Sequence, residues 1–270
     1  MKTKEKKSSF FIRHPLGGML VSMILVGLFS LIMIILSYIP ALTLPVLSLE
    51  QWNYLFEILA GLISLLVYSR IAHERPDHFF TFRKPGEGFC MGWSILAVSC
   101  ALVIFNIVIY KQVPGNLPAA LLLALSAGIC EEVLFRLIPL SVMMHADGGK
   151  EKIFTGCAVS SLIFGVFHGL NLIAGADPVN TLFQILYASG LGLIFAGIYV
   201  RTENLWLPII LHTILDFCNY ALVADPSAEI SAVLDESVDT FSAVFLIIST
   251  ILFYISAFLI YRRKDSSEEK

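Results

Sequence analysis

Eight stretches of this 270-residue chain are apolar over the length that a helix needs to cross a membrane, and the connections between them are short. Nothing else in the sequence constrains the fold as tightly. A helix crosses about 30 Å of hydrocarbon with roughly 17–25 residues. The stretches lie near 16–39, 54–72, 88–110, 117–144, 153–174, 179–200, 204–223 and 239–261. Turn formers separate them, among them Pro45, Pro76, Pro85-Gly86, Pro114-Gly115, Gly148-Gly149 and Pro226. A soluble core does not account for this pattern. The chain is 57% hydrophobic and 14% charged, against about 45–50% and about 25% in soluble domains. The expectation is an all-α polytopic membrane protein of about eight transmembrane helices. It forms a single domain over 16–262, with its site inside the helix bundle. No internal repeat interrupts that reading.

Charge placement sets the expected sidedness. With the N-terminus cytoplasmic, the inner segments hold Lys2, Lys4, Lys6, Lys7 and Arg13, then Arg70, Arg75, Arg83 and Lys84, then Lys150, Lys152 and Arg201, and finally Arg262, Arg263, Lys264 and Lys270. That is all but two of the 18 basic residues. The outer loops keep only Lys111, and Arg136 lies in a span. Basic residues concentrate in cytoplasmic loops, so tails 1–15 and 263–270 are expected on the cytoplasmic side. The acidic stretch 224–238, with Asp225, Glu229, Asp235 and Glu236, suits an outer loop. The whole is expected as an integral, multi-pass protein of the lipid bilayer.

Several classes are excluded. No long run of like charge suggests a nucleic-acid surface, so no nucleic-acid partner is expected. The five cysteines fall in apolar blocks without a CxxC pair, which excludes a disulfide framework and a zinc knuckle. They read as small buried hydrophobes. The first apolar stretch is too long for a signal peptide's core of roughly 7–15 residues.

Within this apolar background, three ionisable residues stand out: Glu131, Glu132 and Arg136, flanked by Leu121-Leu122-Leu123-Ala124-Leu125 and Leu137-Ile138-Pro139-Leu140. Each charge in lipid costs roughly 2.5–3.5 kcal/mol on insertion scales. Of the six histidines only His168 and His212 fall within spans. Phe164 precedes His168 by four residues, and Asp216 follows His212 by four, so each pair shares a helix face. Polar groups in spans turn toward each other or a wet cavity. Convergence of the three helices gives a site of Glu131, Glu132, Arg136, His168, His212 and Asp216. Glu132 and Arg136 suit an ion pair. Glu131 points about 100° away around the helix, which leaves it the freer acid or base.

EExxxR (Glu131, Glu132, Arg136), FxxxH (Phe164, His168) and HxxxD (His212, Asp216), in that order on successive apolar helices, resemble the CPBP family of CAAX proteases and bacteriocin-processing enzymes, also called Abi. Asn204-Leu205-Trp206-Leu207-Pro208 fits the same pattern, and the likeness covers about 117–220. The resemblance implies an intramembrane endopeptidase acting on a membrane-associated protein or peptide, lipidated or not. It implies that Glu131 and His168 activate water, that His212 and Asp216 stabilise the oxyanion, and that Glu132, Arg136 and Phe164 support the structure. Asp216 stands where many members carry asparagine.

That aspartate raises a question of charge. Three carboxylates face one guanidinium, so protons or a divalent cation must supply the balance. In the preferred reading no cofactor is required, and Asp216 carries a proton to donate to the oxyanion, as buried carboxylic acids can. In the metallo-endopeptidase reading, Glu131, His168, His212 and Asp216 are the candidate ligands of a metal such as zinc, with water in an open position. Two further classes remain open at this stage. A proton-coupled transporter also uses intramembrane acids and histidines, though repeated halves are not seen. A non-catalytic immunity or adaptor protein would use the same bundle to hold a partner.

Overall fold

A computed structural model of the chain describes residues 14–44, 46–71, 81–144, 149–173, 175–222 and 240–262. The tails, the acidic stretch 224–238, and His73, His78 and His145 lie outside the described residues. Among those described, every regular element is helical. The order is α1 (Pro15–Thr43), α2 (Leu49–Ile71), α3 (Pro85–Met91), α4 (Trp93–Val108) and α5 (Leu117–Glu132). A π-helical turn (Val133–Leu137) leads into α6 (Ile138–Met144). Next come α7 (Gly149–Phe167), a 3-10 turn (His168–Leu172), α8 (Pro178–Thr202), α9 (Trp206–Tyr220) and α10 (Thr240–Arg262).

Five helices, α1, α2, α7, α8 and α10, are long and apolar enough to cross a membrane, and the α3–α4 pair, bent by 59°, makes a sixth span if counted as one. The expected eight is therefore an approximate count. The two blocks that fall short are those carrying the acidic pair and the last motif. Block 117–144 is divided by the π-helical turn, and α9 has 15 residues, or about 22 Å at 1.5 Å per residue. Neither needs to meet lipid along its length. α5 packs on α2 and α9, and α9 packs on α4, α5 and α8.

The reversal between α8 and α9 has a local cause. Glu203 adopts φ 49°, in the left-handed region. Asn204 then accepts the Trp206 N–H at 3.0 Å and donates to the Arg83 carbonyl at 2.7 Å. α8 itself begins with Pro178 behind Asp177, whose carboxylate accepts the N–H groups of Val179 and Asn180 at 2.9 Å.

Burial is inverted relative to a soluble bundle. Ile24, Leu25, Leu28 and Ile35 of α1 face outward, while Gly18, Ser22, Ser30 and Ser37 are buried. Serines recur inside other helices too, as Ser94, Ser99, Ser160, Ser161 and Ser256. Small residues let membrane helices approach closely, and lipid accepts the large apolar side chains. Cys130 and Cys157 are buried as expected, but Cys90 and Cys100 are exposed on the outside of the bundle, and all five cysteines are free. α8 is the central helix. Of its most apolar window 61% is buried, against 28–33% in the other four long helices.

The two ends of the bundle separate the segments expected on opposite sides. Arg83 pairs with Glu203 at 2.7 Å, and Lys84 donates to the Arg201 carbonyl at 2.9 Å. At the other end the Gly115 N–H bonds the Ala221 carbonyl at 3.0 Å, and Tyr110 meets Ser242 at 2.7 Å.

Candidate active site

The site forms where α5, the end of α7 and α9 meet beneath α8. Close approach of α5 and α9 depends on Gly128. A Cβ there would lie 2.5 Å from Thr213 Oγ1 and 3.1 Å from the Ile209 carbonyl. One turn further along α5 come Glu131 and Glu132, and Thr213 is the neighbour of His212. The glycine therefore sets the two glutamates against the imidazole.

Both glutamates bracket that ring. His212 Nδ1 lies 2.9 Å from Glu132 Oε1, and the ring N–H donates to the carboxylate. His212 Nε2 lies 3.4 Å from Asp216 Oδ2 and 3.7 Å from Glu131 Oε2. Phe195 stacks on the ring at 5.1 Å and 25°, and Phe164 meets it edge-on at 6.1 Å. The imidazole is thus stacked on one face and met by carboxyl groups at both nitrogens. Because two carboxyl oxygens face Nε2, a proton within this group is what makes those contacts attractive.

Arg136 lies behind the ring, fully buried. Its Nε is 3.3 Å from Glu132 Oε2. Its guanidinium carbon is 4.2 Å from the Phe164 ring centroid, 5.4 Å from Phe195 and 5.8 Å from Phe135. None of its three nitrogens has a hydrogen-bond partner among the described residues, so ion pairing and π faces hold the charge. Gly192 makes the space. A Cβ there would come within 3.1 Å of an Arg136 terminal nitrogen and 3.2 Å of Phe164. The π-helical turn carries Arg136 into this cage. Ile138 N–H bonds back five residues to Val133, and Ser160 of α7 donates to the Phe135 carbonyl. Such turns recur at functional sites.

His168 opens the 3-10 turn after α7. Its Nδ1 donates to the Phe164 carbonyl at 2.9 Å, and Phe164 meets its ring edge-on at 5.1 Å. With Nδ1 occupied, Nε2 is the available nitrogen. The ring is within electrostatic reach of Asp216, while no ion pair with Glu131 is seen among the described residues. Glu131 and Asp216 keep 29% and 25% of their side-chain surface accessible, whereas Glu132 and Arg136 have none. These half-buried acids can meet a substrate and a water; the fully buried pair cannot.

The candidate metal ligands do not form a metal site in this arrangement. Among the described residues no three His, Cys, Asp or Glu side chains are placed to hold an ion. His212 Nδ1 is committed to Glu132.

Residues 113–218 match the family described as type II CAAX prenyl endopeptidase Rce1-like. The chain carries an Rce1-like region. It contains all seven motif residues and excludes α1 to α4 and α10. Over 88 residues the chain is 32% identical to the Bacillus subtilis (strain 168) protein named "Putative membrane peptidase YdiL". That alignment covers 33% of this chain and 30% of the relative, so the chain spans under a third of that protein's length. No solved structure matches. The family match agrees with the CPBP resemblance carried by the motifs.

Sequence reasoning gave Glu132 to Arg136 alone and left Glu131 unattached. In the structure Glu132 also holds His212, and Glu131 approaches the same ring. Phe195, Gly128 and Gly192 carried no motif signal. Glu57 of α2 was also missed as a neighbour: its carboxyl lies near Ser126 and within electrostatic reach of Glu131. It is the sole carboxylate in the apolar run 51–69, which was the available signal. Asn171, three residues after His168, donates to Gln184 at 2.8 Å.

Proposed function

We propose that the chain is an intramembrane endopeptidase that hydrolyses a peptide bond of a membrane-associated protein or peptide, with the water activated by Glu131 and His168. The observation that carries this reading is the division between the two glutamates. Glu132 is wholly buried between Arg136 and His212, while Glu131 retains access beside the same imidazole.

Glu131 accepts a proton from water, and His168 Nε2 orients that water. The oxygen attacks the scissile carbonyl carbon, giving a tetrahedral oxyanion. His212, held by Glu132 and clamped by Phe195, presents Nε2 toward the oxyanion together with a protonated Asp216. Fixed donors aimed at developing charge are worth a factor of about 10²–10³ each in rate. Glu131 then returns its proton to the leaving amine, and the bond breaks. Arg136 offsets the carboxylate that orients His212. On this reading the basic end of the bundle and both termini face the cytoplasm. The substrate is a membrane protein or peptide, with or without a lipid attached.

The test uses purified full-length protein in liposomes with a fluorogenic peptide library anchored in the bilayer. Cleavage that is abolished by E131Q and H168A but survives exhaustive chelation supports the reading. Cleavage lost on chelation and restored by zinc would return the metallo-endopeptidase mechanism. Cleavage by E131Q at the wild-type rate would remove Glu131 from the chemistry.

A further inference from the structure

The outer surface between α7, α8 and α10 holds a groove that belongs to none of the site described above. It has a volume of about 480 Å3 and is lined by Phe154, Leu193, Tyr254, Phe258, Tyr261 and Arg262, among others. That volume falls in the range of roughly 300–1,000 Å3 found for small-molecule sites. Its walls are aromatic, and Phe154 and Phe258 are 51% and 61% exposed. The walls are also braced. Tyr261 meets Phe154 edge-on at 5.2 Å and donates its hydroxyl to the Leu193 carbonyl at 3.1 Å.

The lining carries one charge, Arg262, at the end of α10. Its guanidinium carbon stands 5.9 Å from the Phe258 ring centroid. The surroundings are basic. Lys150 precedes Phe154 by four residues on the same face of α7, and Arg201 lies within electrostatic reach of Tyr261. Among the described residues the acidic groups at this end include Glu87 of α3, Glu151 of α7 and Glu203, and Glu203 is paired with Arg83.

An apolar trough ending in a cation at the basic end of a membrane bundle matches one ligand chemistry. We propose that this groove binds an anionic phospholipid, with an acyl chain along Phe154, Tyr254 and Phe258 and the phosphate headgroup at Arg262. Basic pockets between transmembrane helices recognise anionic headgroups in this way. A free phosphate would leave the aromatic walls unoccupied, and a lipid without net negative charge would gain less from Arg262.

The experiment is native mass spectrometry of the delipidated full-length protein, titrated with phosphatidylglycerol or phosphatidylcholine of identical acyl chains. Wild type is expected to retain phosphatidylglycerol at about fivefold lower concentration. R262Q should remove that difference, and R262K should keep it. F258A should weaken both lipids. Equal retention of the two lipids by wild type would mean adventitious acyl chains only and overturn the proposal. So would a preference that survives R262Q, or displacement of the lipid by inorganic phosphate. Arg262 is exposed at a helix end, so R262Q should fold, and matched melting curves check this. The outcome is independent of any peptidase activity.

Discussion

Replacing Arg136 by methionine tests the logic of the buried cluster. Glu132 and Arg136 are both fully buried, and their contact of 3.3 Å is the cation's ion pair. Methionine keeps much of the aliphatic stem and leaves Glu132 charged and unpaired. Removing one partner of a buried pair costs about 3–5 kcal/mol. Loss of the guanidinium from the rings of Phe135, Phe164 and Phe195 adds up to about 2 kcal/mol. Sulfur–aromatic contact returns about 0.3–1.5 kcal/mol of it. The net expectation is a loss of about 3–5 kcal/mol. E132Q should cost a similar amount, because it strands the guanidinium. The double variant E132Q/R136M strands neither and should lie well above the sum of the singles, since neutral replacements of buried pairs are often tolerated. Reversible unfolding in mixed detergent micelles, read by tryptophan fluorescence, supplies the double-mutant cycle. An R136M protein within about 0.5 kcal/mol of wild type, below the usual cost of such losses, would refute the argument. Additive losses in the double variant would refute it too.

Three further outcomes follow from the same geometry. G192A should destabilise by about 1–3 kcal/mol through crowding of Arg136 and Phe164, while G27A on α1, where nothing lies within 4 Å, should not; thermal melts of the pair decide it. S160A strands the Phe135 carbonyl of the π-helical turn and should cost about 1–3 kcal/mol, measured in the same unfolding assay against S249A. D216N should keep much of the activity, because an amide donates to the oxyanion as a protonated carboxyl does. A collapse of kcat with unchanged folding would instead assign Asp216 a role that needs its charge.

Much of the arrangement was legible because membranes simplify the grammar. Apolar blocks marked the helices, and the structure gathers Arg83, Lys84, Arg201 and Glu203 at one end. The four-residue spacings placed Phe164 with His168 and His212 with Asp216 on common faces. What the spacing could not show was depth and rotation. A straight α-helix through 117–144 would point Arg136 elsewhere, and the π-helical turn is a five-residue departure with no motif of its own. The contact between Glu132 and His212 joins residues 80 apart in sequence and depends on Gly128, a small residue whose meaning appears only when α9 lies against it. The span count of about eight is approximate for a related reason. Blocks that carry polar groups need less lipid-facing length when other helices surround them.

The central claim is that Glu131 activates water for peptide-bond cleavage in the membrane. It is met most directly by mass-spectrometric counting of new N-termini in membranes from cells making wild type, E131Q or H168A at equal levels. The account predicts a set of membrane-protein N-termini present with wild type and absent from both variants. Identical sets from wild type and E131Q would contradict it.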